Sequence, residues 1–281
     1  MSSSADGTGG ATAVVELKHY EQGPPEAPAV LLAPSLGTTL AMWDHLAESL
    51  AASYRVIRFD TRGHGASPAP AGPYTVAELA ADVVALADLL EIERFAVVGL
   101  SLGGAIAQQL ALEHPSRVTA LVLACTGPSF GDPQNWRDRA ARVRAEGMRW
   151  LVEPTEQRWF TTDFVREHRA EADRLLEMIA TTSPEGYAAC CDALAAYDVT
   201  TRLPEIGAPT RVVAGRHDGV SPPEVARGMV ESLPDADLVV LEEASHIANV
   251  AQPEAFDRAV REHLDRTVGP PADHRPTRGE S

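Results

Sequence analysis

The sequence predicts an α/β fold: a mostly parallel sheet flanked by helices, with a helical segment inserted late in the chain. Three observations predict it. Short, evenly apolar runs alternate with amphipathic helical stretches. The connections between them are short, which favours parallel strands joined by helices. One long stretch, from about Gly127 to Leu203, carries helical patterning and no strand pattern.

Thr12 to Tyr20 reads first, as an additional, more polar strand near one edge. Ala29–Ala33 (AVLLA), Arg55–Phe59 (RVIRF), Phe95–Val98 (FAVV), Ala120–Ala124 (ALVLA), Arg211–Ala214 (RVVA) and Leu238–Leu241 (LVVL) follow as buried strands. They are too short and too uniformly apolar for surface helices, and most are rich in Val or Ile. Between them, Thr75–Leu90 places Val76, Leu79, Val83, Leu86 and Leu90 at helical spacing, and Leu102–His114 and Glu254–Leu264 behave alike. In such sheets ligands bind at the carboxyl ends of the strands. The insertion is therefore expected as a cap over that edge. The expected organisation is a core of residues 12–126 and 204–267, a helical cap of 127–203, and disordered tails at 1–11 and 268–281.

Composition narrows the function. The chain has 281 residues, 44% of them hydrophobic, enough for a sizeable core. Its 24 Lys plus Arg against 40 Asp plus Glu leave a formal charge of −16. That charge repels nucleic acid and anionic membrane surfaces, so neither is an expected partner. An anionic substrate would need a local positive patch. Cys125, Cys190 and Cys191 are odd in number, and the last two are adjacent. They show no metal-type spacing and read as reduced, mostly buried thiols, which points to a cytoplasmic setting. The first residues lack the basic and apolar regions of a secretory signal, and no apolar run approaches the ~18 residues of a membrane span.

The decisive motif is Gly99-Leu100-Ser101-Leu102-Gly103, directly after FAVV and directly before a helix. A G-x-S-x-G in that context is the nucleophile elbow of α/β-hydrolases, in which glycines on either side of the serine relieve crowding at a strained turn. The serine needs a base, and the base needs an orienting acid, in the chain order Ser, acid, His. His246 follows the LVVL strand, while His114, His168 and His263 lie on helix patterns and His274 in the tail. Asp218 follows the RVVA strand; the other acid position, after ALVLA, holds Cys125 and Thr126 and no carboxylate. The expected triad is Ser101, Asp218 and His246. The oxyanion hole is expected from the N–H of Leu102 and that of Leu36, in the Pro34-Ser35-Leu36-Gly37 loop after the first core strand.

From about Tyr20 to Leu264 the chain resembles 3-oxoadipate enol-lactonases of the β-ketoadipate pathway. The resemblance rests on Ser35-Leu36-Gly37-Thr38-Thr39-Leu40-Ala41-Met42-Trp43, on Asp60-Thr61-Arg62-Gly63-His64-Gly65-Ala66-Ser67, and on Gly99 to Ala105. It continues in Trp136, Arg139, Val143, Arg144 and Gly147, in Arg158-Trp159-Phe160-Thr161, and in Ala244 to Val250. The Arg62-Gly63-His64-Gly65 run is shared by many α/β-hydrolases; the Ser35–Trp43 run is more specific. Some members of the family are fused to a decarboxylase domain, and the length here implies the lactonase alone. The resemblance implies serine attack on the lactone carbonyl, enolate departure, water release of the acid and tautomerisation to 3-oxoadipate. It implies no metal and no organic cofactor.

That substrate carries a free carboxylate. Arg137, Arg139, Arg142, Arg144 and Arg149 make Trp136–Arg149 locally basic in an acidic chain. On a helix, Trp136, Ala140, Val143, Gly147 and Trp150 share a stripe, and Arg139 lies within it. Arg139 is thus the candidate for the substrate carboxylate, with Trp136 closing the pocket; its alternative partner is Glu153 or Asp163. Arg144 and Arg158 stand next in line. A carboxylesterase or carbon–carbon-bond hydrolase would use the same triad, and a ligand sensor of this fold could retain it. Oligomeric state is not legible.

Overall fold

Residues 13–269 are described by the structure, a computed structural model. Among the described residues the strands are β1 (His19–Gln22), β2 (Ala29–Ala33), β3 (Arg55–Phe59), β4 (Phe95–Leu100), β5 (Val118–Ala124), β6 (Thr210–Gly215) and β7 (Ala236–Leu241). They form one sheet in the order β1-β3-β2-β4-β5-β6-β7. Every pairing is parallel except that of β1 with β3. Strands β2, β4 and β6 are buried along their whole length, because helices cover both faces of the sheet. The two edges, β1 and β7, are only partly covered.

The first strand departs from expectation. It is the short His19–Gln22 segment rather than Thr12–Tyr20, and residues 13–18 run without regular structure. Being polar, antiparallel and at the edge, it has no continuous apolar run to mark it. Of the expected tails at 1–11 and 268–281, all but residues 268 and 269 lie outside the described residues.

Around the sheet lie α1 (Asp44–Leu50), α2 (Val76–Leu89), α3 (Leu102–Glu113), α9 (Pro223–Ser232), α10 (Ala248–Ala251) and α11 (Pro253–Thr267). Helix α2 begins on a capping box, in which Thr75 and Glu78 each accept from the other's backbone N–H. Between β5 and β6 come α4 (Pro133–Glu146), α5 (Val152–Trp159), α6 (Thr162–Glu167), α7 (Arg169–Thr181) and α8 (Pro184–Ala196). Helix α4 is shorter than the expected stripe. It stops at Glu146 because Gly147, at φ 76°, breaks it, and Trp150 sits in a separate 3-10 turn.

Helix α4 packs along α8, and α8 in turn meets the 60–75 loop at backbone distance. A Cβ on Gly186 would stand 2.2 Å from the Gly63 carbonyl oxygen, and one on Gly72 would stand 2.5 Å from Ala189 Cβ. The Gly72 N–H donates to Glu185 at 3.0 Å across the same seam.

β2 pairs with β3 on one side and β4 on the other, so the direction of sheet growth reverses at β2. A crevice opens outside the carboxyl ends at such a reversal, and here it falls between the Pro34–Gly37 loop and Ser101.

Candidate active site

Ser101 joins β4 to α3 at φ 56° and ψ −113°, a conformation that costs a residue with a Cβ of the order of 1–3 kcal/mol. Its neighbours hold it there. The Ser101 N–H donates to the Ala124 carbonyl at 2.9 Å, and the Thr126 hydroxyl donates to the Ser101 carbonyl at 2.8 Å. The flanking glycines are sterically required: a Cβ on Gly99 would lie 2.2 Å from the Gly103 carbonyl oxygen, and one on Gly103 would lie 2.0 Å from that of Ala33.

Asp218 and His246 come together from the loops after β6 and β7. His246 Nδ1 and Asp218 Oδ2 are 2.9 Å apart, and both side chains are almost wholly buried. The other carboxylate oxygen accepts the N–H groups of Val220 at 2.8 Å and Ser221 at 3.1 Å. Two backbone hydrogen bonds therefore orient the carboxylate before the ring is considered. Cys125 occupies the other loop position, and burial, with Asp218 nearby, pushes its thiol up and keeps it protonated. All three cysteines are free and buried.

Leu36 and Leu102 are buried residues on either side of the crevice, and neither N–H has an intramolecular acceptor among the described residues. The next residue, Gly37, sits at φ +80°, where a Cβ would also press on Ile179 at 2.7 Å. The Gly37 N–H donates to His64 Nε2 at 2.9 Å. His64 is fully buried, and burial pushes its ring down to about 4. The sequence marks His64 only as part of a common run; its contact with Gly37 spans 27 residues and is not readable from spacing.

Ser101, His246, Leu36, Trp136, Arg139 and Arg158 all line one cavity of about 80 Å³, with Tyr187 behind them. The Arg139 guanidinium lies over the Trp136 ring at 4.6 Å from its centre, and the indole N–H is held by the Phe130 carbonyl. Tyr187 is buried beneath; burial pushes its hydroxyl up, and the nearby charges of Arg139 and Arg158 oppose that push. No carboxylate reaches ion-pair distance of Arg139 or Arg158 among the described residues; Asp163 instead pairs with Arg166 at 2.6 Å. Burial, and then the charge of Arg139, lowers the pKa of Arg158. Arg144 is elsewhere, bonded to Glu185 at 2.9 Å and Asp192 at 2.8 Å on the outer side of α4 and α8.

A larger cavity of about 560 Å³ opens between Met42, Phe164 and Arg258, away from the triad candidates. The smaller one is the better candidate site, because only there do a strained serine, a paired histidine and backbone donors converge. Among the described residues no cluster of three or more His, Cys, Asp or Glu could hold a metal ion, and no helix is long and apolar enough to cross a membrane.

Comparison with known proteins bears on this arrangement. A family model described as the alpha/beta hydrolase fold matches residues 28–253. The chain is 39% identical over 252 residues to 3-oxoadipate enol-lactonase 2 of Acinetobacter baylyi, covering 90% of this chain and 94% of that protein. It is 35% identical over 260 residues to a putative carbamate hydrolase of Variovorax paradoxus, covering 90% and 97%. The crystal structure of the enol-lactonase from Burkholderia xenovorans superposes with a TM-score of 0.87 at 37% identity, covering 89% of this chain and 96% of that one.

Proposed function

The chain belongs to the α/β-hydrolase family as an ester-bond hydrolase, and from that premise we propose that it opens 3-oxoadipate enol-lactone through Ser101, His246 and Asp218. The observation that carries the choice of substrate is the pair Arg139 and Arg158. Two guanidiniums line the reaction cavity without a carboxylate partner, in a protein whose net charge is −16. Both side chains are half-buried, and a cation partly withdrawn from water gains from a counter-charge. The substrate's own carboxylate supplies it, leaving the lactone carbonyl to face Ser101.

His246 Nε2 takes the hydroxyl proton as Ser101 Oγ bonds to the carbonyl carbon. Asp218, already holding Nδ1, stabilises the imidazolium that forms. The carbonyl oxygen becomes an oxyanion on the Leu36 and Leu102 N–H groups, which have no intramolecular acceptor to give up. Collapse breaks the ring C–O bond and expels an enolate, a better leaving group than a simple alkoxide. The imidazolium of His246 gives its proton to the departing enolate. Water then attacks the acyl-serine as neutral His246 takes its proton and passes it to Ser101 Oγ. The acid leaves, and the freed enol tautomerises to 3-oxoadipate. The α4–α8 segment acts as the cap, and the setting is cytoplasmic.

The test is turnover of the enol-lactone, followed by loss of ultraviolet absorbance, beside p-nitrophenyl acetate. The lactone is expected to be the better substrate, and Ser101→Ala to lower kcat by roughly 10⁴–10⁶ on it. Wild-type turnover by purified Ser101→Ala would end the mechanism; efficient hydrolysis of the neutral ester with none of the lactone would end the substrate assignment.

A further inference from the structure

Ser245 stands one residue before His246 and is itself buried. Its hydroxyl lies 2.9 Å from the carbonyl oxygen of Arg158 and 3.2 Å from that of His217. One residue beyond the base, the Ile247 N–H donates to the Trp159 carbonyl at 3.2 Å. The chain on both sides of His246 is therefore fastened to two consecutive carbonyls where α5 ends. Because His217 immediately precedes Asp218, the same hydroxyl also touches the loop that carries the acid.

The segment receiving these bonds is well anchored. Trp159 meets Phe160 edge-on with ring centres 6.3 Å apart, and Phe160 stacks on Phe164 at 5.0 Å. The Arg158 side chain lines the reaction cavity while its carbonyl is bonded to Ser245. The backbone that carries one cavity wall is thus the backbone against which His246 is set.

We propose that Ser245 is a positioning residue whose hydroxyl keeps the His246 and Asp218 loops in register with the Arg158–Trp159 segment. Seating of the helical insertion then governs the alignment of the base. The proposal rests on reading Ser101, His246 and Asp218 as the triad, and not on which ester the enzyme takes. Removing the hydroxyl leaves the Arg158 carbonyl without its donor and frees the loop to shift. Misplacement of a catalytic group by about an ångström can cost as much as 10²-fold in rate.

The experiment compares wild type, Ser245→Ala, Ser245→Thr and Ser101→Ala in p-nitrophenyl acetate hydrolysis. Proton spectra of the first three report the proton shared by His246 Nδ1 and Asp218 Oδ2, a far-downfield resonance that needs no substrate. Ser245→Ala is expected to lower kcat roughly 10- to 100-fold with KM little changed, and to move or broaden that resonance. Ser245→Thr, which keeps the hydroxyl, should recover most of the rate. If the added methyl lowers the melting temperature of Ser245→Thr, Ser245→Ala decides alone through its resonance and its split between kcat and KM. The proposal is overturned if Ser245→Ala keeps wild-type kcat and an unmoved resonance, or loses only melting temperature. An active Ser101→Ala would remove the triad reading instead, so the two failures are distinct.

Discussion

Acid should destabilise this protein through His64, by an amount that follows from its surroundings. The ring is buried with Nε2 accepting the Gly37 N–H at 2.9 Å and Nδ1 facing the Arg62 carbonyl at 3.3 Å. Those partners assign the neutral tautomer with its proton on Nδ1. Burial pushes the ring down from 6.5 to about 4, with the Arg62 carbonyl opposing. The unfolded chain therefore binds more protons than the folded one between those two values. His64's contribution to stability is complete above about pH 6.5, shrinks as the pH falls toward about 4, and changes no further below. The whole span is worth roughly 3 kcal/mol, of which roughly 2 is lost by about pH 5. Against a typical net stability of about 5–15 kcal/mol that is a large fraction. The measurement is urea unfolding near neutral pH and near pH 5 for wild type and His64→Gln. Glutamine keeps an acceptor for Gly37 but does not titrate. His263, whose buried ring is also pushed down, and the carboxylates titrate in both proteins, so the difference between their pH slopes isolates His64. Equal slopes in the two proteins would refute the reasoning.

Two other outcomes test the site directly. Asp218→Asn should lower kcat by roughly 10²–10⁴ through loss of the correct His246 orientation. Asp132→Asn, at the cap of α4, should not; the reverse pattern in a kcat comparison would move the acid elsewhere. Arg139→Met should weaken kcat/KM for the enol-lactone by about 2–4 kcal/mol, with a much smaller loss on a neutral ester. Arg139→Lys should recover only part, because an ammonium lacks the planar fork. Equal losses on both substrates, with a lowered melting curve, would make Arg139 a strut of the insertion.

The central strands were legible because burial on both faces leaves continuous apolar runs. β2 and β3 have the bounds that AVLLA and RVIRF suggest, and β4 to β7 extend them by one or two residues. Strand β1 was misplaced because a polar edge strand carries no such signal. The candidate catalytic residues were legible one at a time, since Ser101 directly follows β4 and Asp218 and His246 lie in the short loops after β6 and β7. Their surroundings were not. Ser245 with Arg158, His64 with Gly37 and Tyr187 with Arg139 are contacts between segments far apart in sequence, and only tertiary packing creates them. The Arg139 environment shows the limit well. Helical spacing could place it on an inward stripe, but could not show that neither Glu153 nor Asp163 reaches it.

The seam between Gly63 and Gly186 limits how relatives of this protein could exchange parts. Gly63 sits at φ +80°, and Gly186 lies in the first turn of α8, where alanine would otherwise be the better helix former. Each excludes a Cβ on the other, although the two residues belong to opposite sides of any cut that would excise the helices between β5 and β6. A chimaera that imports those helices from a donor with a larger residue opposite Gly63 would leave α8 unable to lie flat. Recombination that respects only the strand boundaries would therefore yield inactive offspring, and viable crossovers must carry both glycines together. The insertion is in this sense a hereditary companion of the 60–75 loop rather than a detachable module.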